Sequence, residues 1–154
     1  MKSILVILCT FLLLKCQLVF FYFIQETATG KLFIIGGGDR SAELIKTLVS
    51  TAQLNSKDYI VVLPMSGGEP DSSFHYIKIQ LAQACNNIIA NLNFTKDKID
   101  DKRWIDSLKK AKLIFITGGQ QTRFMESVSN TQVFEAIHFA YKHSCDVRKI
   151  IARN

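Results

Sequence analysis

The chain has 154 residues, room for one well-cored domain and too few for two. With 48% apolar and 21% charged residues, eleven Phe and only two Pro, it falls outside the disordered, collagen-like and low-complexity classes. The formal net charge is +6, but the basic residues are scattered apart from Lys109, Lys110 and Lys112 and the tail residues Lys142, Arg148, Lys149 and Arg153; this is the pattern of solvated faces and a loose terminus, and no nucleic-acid groove is implied.

Lys2 precedes an apolar run from Ile4 to Leu14, followed by Lys15-Cys16-Gln17 and a second run from Leu18 to Ile24. A short basic end with an apolar stretch of this size has the proportions of a secretory signal peptide, with Thr27-Ala28-Thr29 as the best cleavage candidate. The alternative is a membrane anchor with membrane contact through residues 4–24, but Lys15 near its middle would cost about 2.5 to 3.5 kcal/mol on insertion scales. Residues 1–29 are therefore read as a leader or N-terminal anchor, giving a secreted, periplasmic or membrane-anchored product, and residues 30–154 as the folded domain. Cys9 and Cys16 fall in the leader and leave Cys85 and Cys145, which make no disulfide framework. His75, His138 and His143 have no metal-ligand spacing, so no metal is expected. In a eukaryotic source Asn93-Phe94-Thr95 would be a glycosylation acceptor.

From Lys31 the hydrophobic period alternates between strand and helix. Leu32 to Ile35 reads as a buried strand stopped by Gly36-Gly37-Gly38, and Leu44, Ile45, Leu48, Val49 and Ala52 as a helix capped by Ser41. Tyr59 to Leu63 is a second strand, stopped by Pro64. The Ser66-Gly67-Gly68-Glu69-Pro70-Asp71 loop leads from it into a helix carrying Phe74, Ile77, Leu81 and Ala84, with Asp71 as the natural cap. Ile88 to Leu92 is a third strand, Trp104, Ile105 and Leu108 mark a short helix, Leu113 to Ile116 is a fourth strand ending at Thr117-Gly118-Gly119, and Val133, Ile137, Ala140 and Tyr141 give a last helix. Continuous apolar strands alternating with helices imply right-handed βαβ units, a mostly parallel sheet and a three-layer α/β sandwich.

In such a sheet a ligand sits beyond the carboxyl ends of the strands. Three glycine-rich turns stand there: Gly36-Gly37-Gly38-Asp39-Arg40, Ser66-Gly67-Gly68-Glu69 and Gly118-Gly119-Gln120-Gln121. A dinucleotide fingerprint fails, because Ser41 takes the third glycine position and Leu63-Pro64-Met65-Ser66 stands where the ribose-binding acid belongs. No phosphate loop of the G-x-x-x-x-G-K-[ST] kind occurs, and no G-x-S-x-G elbow. Gly118 and Gly119, followed by Gln120, Gln121 and Arg123, are placed to present backbone N–H groups to an oxyanion or a substrate carboxylate.

Lys31-Leu-Phe-Ile-Ile-Gly-Gly-Gly38, Val62-Leu-Pro-Met-Ser-Gly-Gly-Glu-Pro70 and Leu113-Ile-Phe-Ile-Thr-Gly-Gly-Gln-Gln121, in that order, resemble the N-terminal half of the cyanophycinase and dipeptidase E family of serine peptidases, over about residues 31 to 142. The resemblance implies a class I glutamine amidotransferase-like (flavodoxin-like) fold, a Ser-His-Glu triad, no cofactor, and peptide substrates with aspartyl residues, either β-Asp-Arg units or Asp-X dipeptides. Carried over, Gly119 would lend an oxyanion-hole N–H and Gln121 would contact the aspartyl group, with Gly118 beside them; Gln120 replaces the family's usual Asp or Asn. Arg123 is added here as a carboxylate partner. After the last helix the family places a short strand and a Gly-Thr-Ser-Ala-Gly type turn. Here the chain reads His143-Ser-Cys-Asp-Val-Arg-Lys-Ile-Ile-Ala-Arg-Asn154, where Ser144 has no flanking glycine and neither His138 nor His143 corresponds to the catalytic His. No catalytic residue is assigned. The expectation is a domain truncated before the nucleophile strand, an inactive fragment with four strands and an open apolar sheet edge beside the fourth. The alternative is a non-catalytic binding module for acidic peptides on the same rim.

Overall fold

Every residue of the two strands Tyr59–Leu63 (β2) and Leu113–Ile116 (β4) except Tyr59 is buried, and successive residues go to opposite sides of the sheet. Val61, Leu63, Ile114 and Ile116 join one apolar cluster; Ile60, Val62, Leu113 and Phe115 join another. Two cores, one on each face, are what uninterrupted apolar strands require. The computed structural model describes residues 29–36, 39–142 and, in backbone, 150–153. Around β2 and β4 stand the strands Lys31–Ile34 (β1), Ile88–Asn91 (β3) and Ile150–Arg153 (β5). All pairings are parallel, in the spatial order β1-β5-β4-β2-β3.

Helices Ala42–Ala52 (α1) and Pro70–Ala82 (α2) close one face through Ile45, Leu48, Ala52, Ile77 and Leu81. Helices Lys102–Lys110 (α3), Gln121–Val128 (α4) and Gln132–Lys142 (α5) close the other through Ile105, Leu108, Val128, Val133, Ala136 and Ala140. This is the expected three-layer α/β sandwich. Caps explain where the helices begin: Ser41 Oγ accepts from the Leu44 N–H at 3.1 Å, and Asp101 Oδ1 accepts from the N–H groups of Arg103 at 2.9 Å and Trp104 at 3.3 Å. Asp71 is not a cap. Helix α2 starts one residue earlier, at Pro70, whose fixed φ suits the first helical position, so Asp71 lies in the first turn with its charge near the positive end of the helix.

The strand count is also corrected. The sheet does not stop at Ile116, and the edge expected to lie open beside β4 is filled: β5 pairs with β4 on one side and β1 on the other, placing Arg153 between Ile34 and Ile116. A sheet truncated before the strand that follows the last helix is therefore not what forms, because Ile150-Ile151-Ala152 offers the short apolar run that the gap takes. A second addition is α4, which follows the Gly118-Gly119 turn directly. The leader readings on residues 1–28, including Cys9 and Cys16, those on Gly37 and Gly38, and those on residues 143–149, including His143, Ser144 and Cys145, lie outside the described residues. Among the described residues no helix is long and apolar enough to cross a membrane.

Tyr59 ties β2 to α3, its hydroxyl donating to the Ser107 carbonyl at 2.7 Å, and burial raises its pKa above the ordinary value near 10. Tyr59→Phe should lower the unfolding free energy by about 0.5 to 1.5 kcal/mol at neutral pH. Above pH 10 the unfolded chain releases the phenolic proton before the folded one does, so this residue's contribution falls as pH rises. Urea melts at pH 7 and at alkaline pH check both points: the parent should lose more stability than the Phe variant on the alkaline side.

Candidate functional site

The carboxyl ends of β2 and β4 carry two turns that lock together. After Leu63 the chain tightens at Pro64, whose carbonyl accepts from the Gly67 N–H at 3.0 Å, while the Thr117 N–H continues the β ladder to the Leu63 carbonyl at 3.1 Å. One residue beyond Gly118, Gly119 adopts φ +139°, a conformation open to glycine and strained for other residues. Its Cα lies against the Ser66 carbonyl, where a Cβ would collide, and the next N–H, of Gln120, donates to that same carbonyl at 3.0 Å. Two successive constraints, one steric and one hydrogen-bonded, thus fix how the Gly118-Gly119 peptide sits on the rim. Among the described residues neither the Gly118 nor the Gly119 N–H has a hydrogen-bond acceptor.

An open groove of about 770 Å³ runs along this rim. Gly118, Gly119 and Gln121 line it together with Thr117 and Phe115 of the β4 end, Arg40, Ser73 and Tyr76, and Leu32 and Ile34 of β1. Three of the four residues expected in the site are therefore together. Gln121 opens α4, so the positive end of that helix also faces the groove. Among the described lining residues there is a cation and no carboxylate, which suits an anionic ligand.

Arg123 is the fourth, and the structure places it elsewhere. Its Nη1 donates to the Ser66 carbonyl at 3.4 Å, and it lines a second groove of about 730 Å³ with Gly68, Asn93, Lys96 and Glu126. The reason is helical geometry: Gln121 and Arg123 are two residues apart, so they point to nearly opposite sides of α4. Arg123 holds the two turns together from behind rather than facing the groove of Gly119 and Gln121. His75 and His138 are exposed and line neither groove; the His138 ring packs on Phe134 with centroids 4.4 Å apart.

Two groove residues carried no role in the sequence reading. In the sequence Arg40 ends one glycine-rich turn and Thr117 precedes another. Arg40 Nε donates to Gln80 Oε1 at 2.8 Å, and its guanidinium carbon lies 5.3 Å from the Tyr76 ring centroid and 6.0 Å from that of Phe115. The signal for Arg40 was a cation at the carboxyl end of a strand in a sheet whose ligands gather there.

No family model matches the chain, and no curated protein does. Among solved structures, the chain is similar to the crystal structure of a peptidase from an acI-B1 Actinobacterium, with a TM-score of 0.61 and 18% identity over 85% of this chain. The fold is shared. This chain spans 56% of the length of that peptidase. The three-layer arrangement with its parallel sheet is thus of the flavodoxin-like kind that this peptidase uses.

Proposed function

We propose that the rim of this domain is the substrate-holding part of a serine-peptidase site for aspartyl peptides, of the cyanophycinase and dipeptidase E type. The observation that carries this reading is the position of β5. It leads from the last helix into the centre of the sheet and ends at Arg153, level with Ile34 and Ile116, between the first glycine-rich turn and the Gly118-Gly119 turn. A nucleophile on a turn after such a strand would face the Gly119 N–H, which would then stabilise the oxyanion of an attacked carbonyl. Gln121, in the same groove, offers an amide to the aspartyl residue. No cofactor takes part in this chemistry.

A second reading is retention of peptide without cleavage on the same rim, whose described lining holds a cation and no carboxylate. Calorimetry and product analysis on the same protein test both. β-Aspartyl-arginine and aspartyl-leucine should bind the 154-residue chain, alanyl-leucine should bind at least tenfold more weakly, and all three should remain uncleaved. Failure of both acidic dipeptides to bind at millimolar concentration would sink the aspartyl reading. Release of free aspartate above the buffer control would instead sink the non-catalytic one.

A further inference from the structure

Resting on that reading, we propose that Arg40 and Thr117 form a carboxylate subsite that makes the groove specific for acidic peptides. Three observations converge. Arg40 is aimed and stiffened: Gln80 takes its Nε–H, and the rings of Tyr76 and Phe115 lie 5.3 and 6.0 Å from its guanidinium carbon, so little side-chain freedom remains to be lost on binding. Tyr76 and Gln80 are four residues apart on α2 and therefore hold it from one helix face. Thr117 is the second element. It is 6% exposed, lines the same groove, and its hydroxyl oxygen has no hydrogen-bond partner among the described residues. A buried hydroxyl without a partner is unfavourable, and a ligand oxygen removes that deficit. The third observation is the strand itself. The ladder continues through Thr117, so its side chain shares a face with Phe115, the residue beneath the guanidinium, one strand repeat further toward the rim.

A guanidinium and a hydroxyl on one face can divide the two oxygens of a carboxylate between them, a charge-assisted contact that an amide of the same shape cannot reproduce. In an acidic peptide that carboxylate is either the one carried by the aspartyl residue or the one at the C-terminus. Titration of the full chain with aspartyl-leucine, asparaginyl-leucine, aspartyl-leucine amide and succinate distinguishes them. The aspartyl peptides should bind at least tenfold better than the asparaginyl one, because the aspartyl carboxylate is held; a weak aspartyl-leucine amide with no difference between aspartyl- and asparaginyl-leucine would mean that the terminal carboxylate is held and would overturn the specificity for acidic peptides.

Arg40→Met should remove that preference while leaving asparaginyl-leucine within about twofold, and Arg40→Lys should restore part of it. Thr117→Val, nearly isosteric, should weaken the acidic ligand about three- to tenfold. A preference for acidic over neutral peptides that is the same in the parent and in Arg40→Met, with melting temperatures unchanged, would overturn the inference and leave the aspartyl-site reading standing. If no peptide binds but succinate does, in a manner that needs Arg40, the subsite holds and the peptide reading fails. An unaltered affinity in Thr117→Val would remove the hydroxyl from the subsite.

Discussion

Phe115→Ala should destabilise the domain by about 3 to 5 kcal/mol, the range for deleting a well-packed aromatic ring. Phe115 is 0% exposed and stands in the middle of β4, a central strand, with Ile45 and Leu48 of α1, Ile77 and Leu81 of α2 and Ile60 and Val62 of β2 in its cluster. Elements from three parts of the chain meet at this ring, so the space it leaves cannot be closed by moving one of them. Against a typical total of about 5 to 15 kcal/mol, the loss would leave much of the population unfolded near 37 °C. Urea melts should show the midpoint lowered by roughly 2 M with the slope preserved. Phe139, which is 43% exposed, is the matched control and should change little on the same truncation. A loss below about 1 kcal/mol at Phe115 would mean that the two helices of this face are not packed on β4 as described.

Gly119→Ala should damage stability and binding together. At φ +139° an alanine carries backbone strain of about 1 to 3 kcal/mol, and its methyl group would be driven into the Ser66 carbonyl. Relief requires the Gly118-Gly119 peptide to turn away, which breaks the Gln120-to-Ser66 hydrogen bond and swings the N–H off the rim. The melting temperature should drop by roughly 5 to 15 °C, and affinity for β-aspartyl-arginine by more than tenfold. Gly36 is the contrasting position: among the described residues a Cβ there would meet nothing within 4 Å, so Gly36→Ala should be nearly silent in stability. Equal behaviour of the two alanine variants would refute the special role given to Gly119.

The residues whose roles were legible in the sequence are those fixed by local rules. Val61-Val62-Leu63 and Leu113 to Ile116 are continuous apolar runs between turn signals, and they are the two strands buried on both faces. Ser41 caps because a short hydroxyl precedes a helical period. Helix α4 escaped because its eight residues carry apolar side chains only at Phe124, Met125 and Val128, too few to establish a period. Strand β5 escaped because Ile150-Ile151-Ala152 stands between Lys149 and Arg153, and a run that short becomes a strand only where two neighbours supply hydrogen bonds on both sides. Arg40 and Arg123 show the same limit at the site. Distance along the chain put Arg123 beside Gln121 and helix geometry separated them; Arg40 and Gln80 are 40 positions apart and their side chains meet.

The strand order has a consequence for how the molecule is assembled. Within the described sheet β1 pairs with β5 alone, Lys31 against Ile150 through Ile34 against Arg153, while β4, β2 and β3 are joined by pairings that need nothing beyond residue 116. Among the described strands β1 should thus be the last to find its place. A three-stranded nucleus with its helices can condense while β1 waits, its hydrogen-bonding edge unmatched, for the later-made β5. That order puts the longest closure among the described strands late in folding and leaves strand edges bare in the interval, the situation in which holding chaperones matter most to a nascent chain.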